Sequence, residues 1–385
     1  MKIYNPYRPG AGQMPLFLAG REKEIEEIES VFDMLNVGMA ARSIVYSGLR
    51  GVGKTVLLNA LENKASDKGI QYKHIEIEDS KDFITQVIAS IQAFIRTKSI
   101  MEFVRESGEK IFDALKTLIV TYDPNTSAFS LSAQEKQFYQ SADLGQALTD
   151  AFVNMGEICV KTKQSFCFFI DEIQYIKKEE LGALIVALHR CNQLGYPIMV
   201  ICSGLPSVLK MLSDIKSYSE RLFYYKTVDN LSKEDAEQAI VNPVKKIKVE
   251  YKREAIDKII DITKGYPFFI QQLCEVVFNN TEGVITDYDV EIAIEEYYKV
   301  LDTGFYKVRY SRCSAGEKKF IKAMVDCGDL PCTIANIATN MKKEVTTISP
   351  VRGTLINKGI IYSVRHSELD FTVPEFDKYI KRLEE

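Results

Sequence analysis

The sequence predicts an α/β fold in which helices cover both faces of a parallel sheet. Two continuous apolar runs, FCFFI at 166–170 and YPIMVICS at 196–203, are typical of strands that are buried on both sides. Before them the chain alternates a strand at 43–47, a Gly-rich turn with a helix from Lys54, and another strand at 72–77. Strand–helix–strand alternation of this kind builds doubly wound parallel sheets.

The composition is that of an ordinary soluble globular protein. The 385 residues are 46% hydrophobic and 26% charged, and their number suffices for two or three domains. No apolar run approaches the ~20 residues that cross a bilayer, and the N-terminus lacks the apolar core of a signal peptide. Eight cysteines without a CxxC pair argue against a zinc site and predict reduced thiols. We therefore expect a cytoplasmic protein that makes no membrane contact.

The charge of the chain is unevenly distributed. A net charge of −4 argues against a polyanion-binding protein as a whole. From Phe305 to the end there are 14 Lys/Arg against 10 Asp/Glu, so this part contributes +4 and the first 304 residues carry −8. Any nucleic-acid contact is therefore expected in the C-terminal part.

The Gly-rich turn GLRGVGKT, at residues 48–55, matches the phosphate-binding pattern G-x-x-x-x-G-K-[ST] between a strand and a helix. Its glycines let backbone N–H groups close around phosphate oxygens, and the helix N-terminus adds positive potential. Lys54 is expected to reach the β- and γ-phosphates, and the Thr55 hydroxyl to hold Mg²⁺. The alternative is a Gly-rich turn without function, which the full motif in this context disfavours. The residues predicted to bind ATP or GTP are Gly48, Leu49, Arg50, Gly51, Val52, Gly53, Lys54, Thr55 and Val56.

Two acidic residues follow the first apolar strand. Asp171 stands at its carboxyl end, where it is expected to hold Mg²⁺, and Glu172 is expected to orient and deprotonate the attacking water as a general base. The alternative is a pair of solvated acids at the start of a helix. The position favours the metal-binding interpretation, because ligands gather at the carboxyl ends of parallel strands.

Two further residues are candidates for contacts with the terminal phosphate. Ser203 ends the second apolar strand, and its alternative is an ordinary turn serine before Gly204. Arg221 is a candidate arginine finger, acting in cis or across a subunit interface, and its alternative is a surface arginine.

The C-terminal region predicts two helices followed by two short strands. TIANIATNM forms the first helix with Thr333 as its N-cap, and the second is expected to begin near Ser349–Pro350 and to stop at Gly359. Strands IIYSV and LDFTV are expected to pair around 365–366, which gives a helix-turn-helix with a wing. Its candidate contacts to double-stranded DNA are the cations Arg352, Lys342, Lys343, Lys358 and Arg365. Arg352 and Lys358 are expected to point outward, as are Thr346 and Thr347 at the entry of the second helix. The alternative is a module that contacts protein.

These motifs together resemble a known family. LAGRE at 18–22 is similar to the hhGRE motif of AAA+/STAND-type P-loop ATPases, and GYP at 265–267 is similar to their G-x-P lid motif. With GLRGVGKT and FCFFIDE, the chain resembles bacterial and archaeal P-loop ATPases that have an origin-recognition-complex-like AAA (STAND-related) domain and a C-terminal winged helix. The resemblance implies a three-layer P-loop core at 1–230, a helical lid at 231–304 and a winged helix-turn-helix at 305–385. Within the core, the Pro- and Gly-rich start predicts an N-terminal arm, and two β-rich runs around a Pro-Asn turn predict an inserted hairpin near 117–132.

The resemblance also implies roles for residues outside the two motifs. Tyr7 and Arg21 would flank the adenine, and Pro267 would couple the position of the lid to the nucleotide. The alternative is a helix-start proline for Pro267 and an exposed helix-terminal charge for Arg21. The segment TKGYPFFIQQLC lacks the sensor arginine that origin-recognition ATPases usually carry in the lid. This departure favours a switch with slow hydrolysis over a fast motor.

The sequence therefore predicts an ATP-binding, Mg²⁺-requiring ATPase, which acts as a nucleotide switch and couples nucleotide state to DNA binding through the winged helix. Its expected partners are ATP and ADP, double-stranded DNA, and a second copy of the chain or another protein. The alternative is a STAND-like signalling or defence regulator whose winged helix makes protein or intramolecular contacts.

Overall fold

A computed structural model describes residues 4–77, 83–97, 100, 120–123, 128–131, 138–139, 144–215, 219–281, 283–365 and 367–383, of which 120–139 are described by backbone only. Its centre is a five-stranded parallel sheet with the strand order β2-β6-β7-β1-β8. The strands are β1 (Ser43–Ser47), β2 (Gln71–Glu76), β6 (Phe166–Asp171), β7 (Ile198–Gly204) and β8 (Phe223–Thr227). The predicted parallel sheet is confirmed.

The apolar runs are continuous because the two faces of the sheet bury separate cores. Along β6, Phe168 packs into one cluster of buried residues and Phe169 into the other. One face is covered by α1 (Glu22–Asn36) and α2 (Lys54–Asp67). The opposite face is covered by α3 (Phe83–Ile95), α4 (Leu144–Thr162) and α5 (Lys178–Leu194). The result is the three-layer arrangement that the sequence predicts.

A small antiparallel sheet lies between α3 and α4 in the chain. Strand β3 (Val120–Asp123) pairs antiparallel with β4 (Ala128–Leu131), as expected for the inserted hairpin. A third strand, β5 (Phe138–Tyr139), pairs with β4. The Pro-Asn turn of the predicted hairpin, at 124–125, lies outside the described residues.

Between β7 and β8 lie the short helices α6 (Val208–Ile215) and α7 (Ser219–Leu222). After β8 the chain is mostly helical, as predicted. Its helices are α8 (Lys233–Val241), α9 (Arg253–Thr263), α10 (Pro267–Asn280) and α11 (Asp287–Val300). They are joined by a two-residue parallel pair, β9 (Glu250–Tyr251) with β10 (Val284–Ile285). The sequence does not reveal this pair, because two residues are too few to display an alternating pattern.

The C-terminal unit, which we define as residues 307–383, combines short helices with a three-stranded antiparallel sheet of order β11-β13-β12. A π-helical turn, Leu301–Tyr306, leads into it. Its elements are α12 (Lys307–Ser311), α13 (Ala315–Val325), β11 (Cys332–Thr333), α14 (Ile334–Met341), α15 (Val345–Asn357), β12 (Ile361–Ser363), β13 (Glu368–Phe371) and α16 (Phe376–Arg382). Thr333 caps α14 by accepting a hydrogen bond from the Asn336 N–H at 3.2 Å, as predicted.

The predicted start of α15 is wrong. The helix begins at Val345, a full turn before Ser349, and Pro350 lies inside it. Burial explains the difference, because Ile348 is 1% exposed and joins Leu355, at 0%, in the core. Packing of Ile348 therefore extends the helix, although Pro350 cannot donate a backbone hydrogen bond.

Within the described residues, no helix is both long and apolar enough to cross a membrane.

Candidate nucleotide-binding site

The phosphate-binding loop joins β1 to α2 through a backbone path that requires glycine. Gly51 and Gly53 have φ values of 90° and 92°, in the left-handed region that other residues rarely adopt. A Cβ atom on Gly48 would lie 2.3 Å from the carbonyl oxygen of Val228. Since α2 begins at Lys54, the N–H groups of its first turn have no carbonyl partner in the helix. These groups form a ready anion-binding site.

The side chain of Lys54 lies against the backbone of this loop. This side chain is buried, and Nζ donates to the carbonyl oxygens of Gly48 at 3.0 Å and Leu49 at 2.8 Å. Burial lowers the pKa of Lys54, and the charges of Glu172 and Asp171 oppose that shift. The ammonium group is thus held among carbonyl oxygens, beside the site where a phosphate would provide stronger acceptors.

The carboxylate of Asp171 is the meeting point of three elements. Its Oδ2 accepts from the Thr55 hydroxyl at 2.6 Å, and its Oδ1 accepts from the Ser203 hydroxyl and from the Glu172 N–H at 2.9 Å. The structure therefore brings together the two residues predicted to hold Mg²⁺ and the predicted serine of β7. Hydroxyl and carboxylate oxygens are the ligands that Mg²⁺ prefers, so this adjacent pair fits the ion.

Glu172 follows Asp171 in a strained conformation, with φ 56° in the left-handed region. Its Oε1 lies 3.4 Å from Nη1 of Arg50, and its Oε2 accepts from the Gln174 side-chain amide. The side-chain carbonyl oxygen of Gln174 in turn accepts from the Leu205 N–H at 3.0 Å. Residues that follow β6 and β7 therefore hold Glu172, the predicted general base, beside the phosphate-binding loop.

Arg50 has more contacts than its place in the motif suggests. Its Nη2 donates to the Tyr175 hydroxyl at 2.6 Å, and its Nε donates to the carbonyl oxygen of Gly359 at 3.4 Å. Its backbone N–H donates to the carbonyl oxygen of Thr372 at 3.1 Å. Sequence reasoning missed these contacts, because Arg50 and Gly359 are 309 positions apart and no local pattern links them.

The GYP segment lies directly against the loop. Tyr266 donates its hydroxyl to the carbonyl oxygen of Arg50, and the Phe268 N–H donates to that of Gly51 at 3.2 Å. Gly265 is required where it stands, because a Cβ atom there would lie 2.4 Å from the Leu231 carbonyl oxygen. Pro267 is the first residue of α10, half-buried between these two contacts.

Arg21 is neither an exposed charge nor a free ligand. Its guanidinium is buried and donates to the carbonyl oxygens of Val52 at 3.1 Å and Asp229 at 2.8 Å. Burial lowers the pKa of Arg21. Nearby carboxylates oppose this shift, and Glu24 has the largest effect among them. The residue therefore ties the phosphate-binding loop to the segment that follows β8.

The prediction that Tyr7 flanks the adenine does not fit its position. The side chain is 2% exposed, its hydroxyl donates to the carbonyl oxygen of Ile240 at 2.5 Å, and its ring meets those of Tyr251 and Phe278. A ring that is already covered by protein has no face left for a base. Tyr7 instead anchors the N-terminal arm among the helices that follow β8.

Arg221 lies at the wrong end of the sheet for a role in cis. It lies two residues before β8, whose first residue Phe223 pairs with Ser43 at the amino end of β1. The phosphate-binding loop follows Ser47 at the other end, about 13 Å away along the strand. Arg221 is exposed, so the only nucleotide that it can contact is one bound to a neighbouring molecule.

Arg309 is a cation near the loop that sequence reasoning did not single out. Its guanidinium lies 4.1 Å from the centre of the Phe305 ring, which stacks on Phe268 at 4.5 Å. Burial, and to a smaller extent the positive charges of Arg50 and Arg312, lower the pKa of Arg309 to about 10.

Three of the cations predicted to meet DNA differ in their surroundings. Lys358 pairs with the buried Glu317 at 2.8 Å but is exposed, and Nη2 of Arg352 donates to Ser363 at 2.9 Å. The side chain of Arg365 is largely exposed, at 80%, with Glu368 3.8 Å away. The expectation that Arg352 points outward is wrong, because the residue is half-buried and is held by Ser363.

Comparison with known proteins agrees with this geometry. Residues 18–201 match the family described as the AAA ATPase domain. These residues form a nucleotide-binding ATPase domain. Residues 303–380 match a domain of unknown function, DUF8462. No curated protein matches the chain.

Solved structures extend the likeness over almost the whole chain. The Walker-type ATPase PABY2304 of Pyrococcus abyssi is 15% identical, with 94% of this chain and 96% of that chain covered and a TM-score of 0.57. The core has the P-loop fold of AAA+ ATPases. More distant likenesses are the Aeropyrum pernix ORC1 protein in complex with DNA (14% identity, 96% and 94% covered, TM-score 0.49) and the Thermotoga maritima RuvB Holliday junction branch migration motor (15% identity, 94% and 95% covered, TM-score 0.46).

Proposed function

We propose that this AAA+ ATPase is a slow, Mg²⁺-dependent nucleotide switch that controls DNA binding by its C-terminal unit. The observation that carries the proposal is the placement of α15. Just beyond its carboxyl end, Gly359 contacts Arg50 of the phosphate-binding loop. At its amino end, Thr346 and Thr347 are exposed. Its 13 residues span about 20 Å, so one rigid element joins the nucleotide site to a free surface.

The roles of the site residues follow from their positions. Lys54 and the first-turn N–H groups of α2 would bind the β- and γ-phosphates, with ATP as the substrate. Mg²⁺, held by Thr55 and Asp171, would neutralise charge on the phosphate oxygens. Ser203 would orient Asp171, and Glu172 would take a proton from the attacking water.

The proposed division of the chain is a core at 1–230, a helical lid at 231–304 and a winged helix at 305–385. The order of helices and strands in the C-terminal unit supports the winged helix, with β12 and β13 as the wing and α15 as the recognition helix. Pro267 would couple the lid to the nucleotide, because its neighbours Tyr266 and Phe268 both bond to the phosphate-binding loop.

The surface proposed for DNA is part of the one that the sequence suggests. Lys342 and Lys343 lie before α15, separated from it by Glu344, and are exposed together with Thr346 and Thr347. Arg365 is exposed at the tip between β12 and β13. These cations and hydroxyls are available to meet phosphates, whereas Arg352 is held by Ser363 and Lys358 by Glu317. Three cations support a modest, salt-sensitive affinity.

A DNA titration tests this proposal. Binding of a fluorescent duplex is measured with ADP and with a non-hydrolysable ATP analogue, at about 50 and about 200 mM salt. We expect the affinity to differ between the two nucleotides and to fall with salt. Replacing Lys342 and Lys343 by Glu should weaken binding about tenfold. The matched control replaces the exposed pair Lys245 and Lys246 by Glu and should bind like the wild type. Equal binding with both nucleotides contradicts the switch, and no binding at all contradicts the DNA contact.

A STAND-like regulator is the second candidate, and the contacts of the C-terminal unit favour it. Besides the bonds to Arg50, the ring of Tyr306 stacks on Tyr379 at 5.2 Å, and Arg382 pairs with Asp302 at 2.5 Å. These contacts hold the unit against the preceding segment, as an intramolecular clamp requires. A chain that binds ADP tightly, stays monomeric and binds no duplex with either nucleotide would support this function instead.

A further inference from the structure

The carboxylate of Glu172 pairs with Arg50, a residue that the C-terminal unit also contacts. Its Oε1 lies 3.4 Å from Nη1 of Arg50, and both side chains are about four-fifths buried. While the pair persists, the Glu172 carboxylate stays directed at Arg50 instead of at a water molecule.

The guanidinium of Arg50 also binds Tyr175, three residues after Glu172. Its Nη2 donates to the hydroxyl of Tyr175 at 2.6 Å, and Tyr175 ends the 3₁₀ turn that follows Glu172. The planar fork of an arginine fits two acceptors at once, so it fixes the turn as well as the carboxylate.

Arg50 is held in this orientation from the other side by the C-terminal unit. Its Nε donates to the carbonyl oxygen of Gly359, and its backbone N–H to that of Thr372. The Thr372 hydroxyl also donates to the Gly359 carbonyl oxygen at 2.6 Å, which joins the two contact points. Movement of the unit would therefore remove two of the contacts that orient Arg50.

We propose that Arg50 is a positioning residue through which the docked C-terminal unit restrains Glu172. Undocking of the unit frees Arg50, which releases Glu172 to activate water, so a ligand that pulls the unit away stimulates hydrolysis. The proposal rests on the proposed role of Glu172 as the general base.

Gly359→Ala tests the coupling without replacing any residue of the nucleotide site. A Cβ atom on Gly359 would lie 2.8 Å from both Nη2 of Arg50 and the Tyr175 hydroxyl, so these side-chain ends must move. Gly328→Ala is the matched control in the same unit. Both glycines have left-handed φ values, 63° and 86°, but a Cβ atom on Gly328 meets nothing within 4 Å. Both variants therefore carry similar backbone strain, and only one displaces Arg50.

The measurement is steady-state ATP hydrolysis together with binding of a fluorescent ATP analogue. We expect Gly359→Ala to raise kcat about fivefold, as loss of a partly buried ion pair would, with nucleotide affinity unchanged. Gly328→Ala should keep the wild-type kcat. Equal kcat values for the two variants would overturn the proposal, and a wild-type chain that neither binds nor hydrolyses ATP would instead refute the proposed function.

Substitution of Arg50 supplies a second readout should Gly359→Ala fold poorly. Arg50→Gln removes the ion pair and should also raise kcat. Arg50→Lys keeps the charge but loses the fork, so its kcat should lie between those of Arg50→Gln and the wild type. A lower kcat in Arg50→Gln with unchanged nucleotide affinity would mean that Arg50 assists Glu172, which contradicts the restraint.

Discussion

The hydroxyl of Thr55 donates a 2.6 Å hydrogen bond to Oδ2 of Asp171, although 116 positions separate them in the chain. The contact joins the first turn of α2 to the carboxyl end of β6. It places the two oxygens proposed to hold Mg²⁺ side by side. Lys54 precedes Thr55 in the chain, and Glu172 follows Asp171. The first two predictions follow from this arrangement.

Replacing Lys54 by Ala should abolish ATP binding. Its ammonium group is held by the carbonyl oxygens of the phosphate-binding loop, and loss of its charged hydrogen bonds to phosphate should weaken binding by about 100-fold or more. Titration with a fluorescent ATP analogue measures the effect. Lys64→Ala, at the other end of α2, removes an equal charge from the surface and should bind ATP normally. Unchanged affinity in Lys54→Ala would contradict the assignment of the loop.

Replacing Glu172 by Gln should separate binding from hydrolysis. The amide keeps the shape of the side chain but cannot take a proton, so kcat should fall about 10²-fold or more while nucleotide affinity is retained. Single-turnover hydrolysis measures the chemical step directly. Glu179→Gln, an exposed acid on α5, serves as the control. A Glu172→Gln protein with the wild-type rate would exclude Glu172 as the base.

Arg221 should act only between molecules, since it lies at the amino end of β8. Arg221→Ala and Glu172→Gln should each be inactive alone. An equal mixture should recover about a quarter of the wild-type rate, because a quarter of the sites then combine an intact Glu172 with an intact Arg221 from the neighbour. If Arg221→Ala hydrolyses ATP as fast as the wild type, Arg221 is not an arginine finger.

The stability of the core should depend on pH through His74. Its Nδ1 contacts Oε1 of Glu62, and this hydrogen bond raises the pKa of His74 above 6.5, an effect that partial burial opposes. A histidine with a raised folded-state pKa stabilises the protein below its unfolded pKa, and this contribution is lost as pH rises through the folded value. His74→Gln should therefore lower the unfolding free energy more at about pH 6 than at about pH 9.5. His189→Gln is the control, and an equal loss at both pH values would contradict the linkage.

The parts of the predicted nucleotide site are recognisable in the sequence because they are local. Gly51, Gly53 and Lys54 belong to one short turn whose backbone only glycine adopts easily. Asp171 is recognisable because five apolar residues precede it, and such a run places its next residue at the edge of a parallel sheet. The roles of these residues stay predictions, although the structure brings them together.

Residues outside the motifs were predicted less well, because their surroundings come from distant parts of the chain. Arg21 looks like a helix-terminal charge until Val52 and Asp229 bury its guanidinium. Arg352 looks like an outward cation until Ser363, on β12, accepts a hydrogen bond from its guanidinium. No periodicity within a helix reveals such partners, since they depend on how separate elements pack.

By itself the sequence determined the types of the main elements, the parallel sheet and the residues that stand at its carboxyl edge. These properties depend on short-range patterns: apolar runs, glycines with left-handed φ and charged residues at strand ends. Only the tertiary structure decided that Arg50 meets Glu172, Gly359 and Thr372, which cations stay exposed, and that Arg221 faces away from the loop. The physical reason is that these relationships join residues up to 322 positions apart, so packing rather than local conformation sets them.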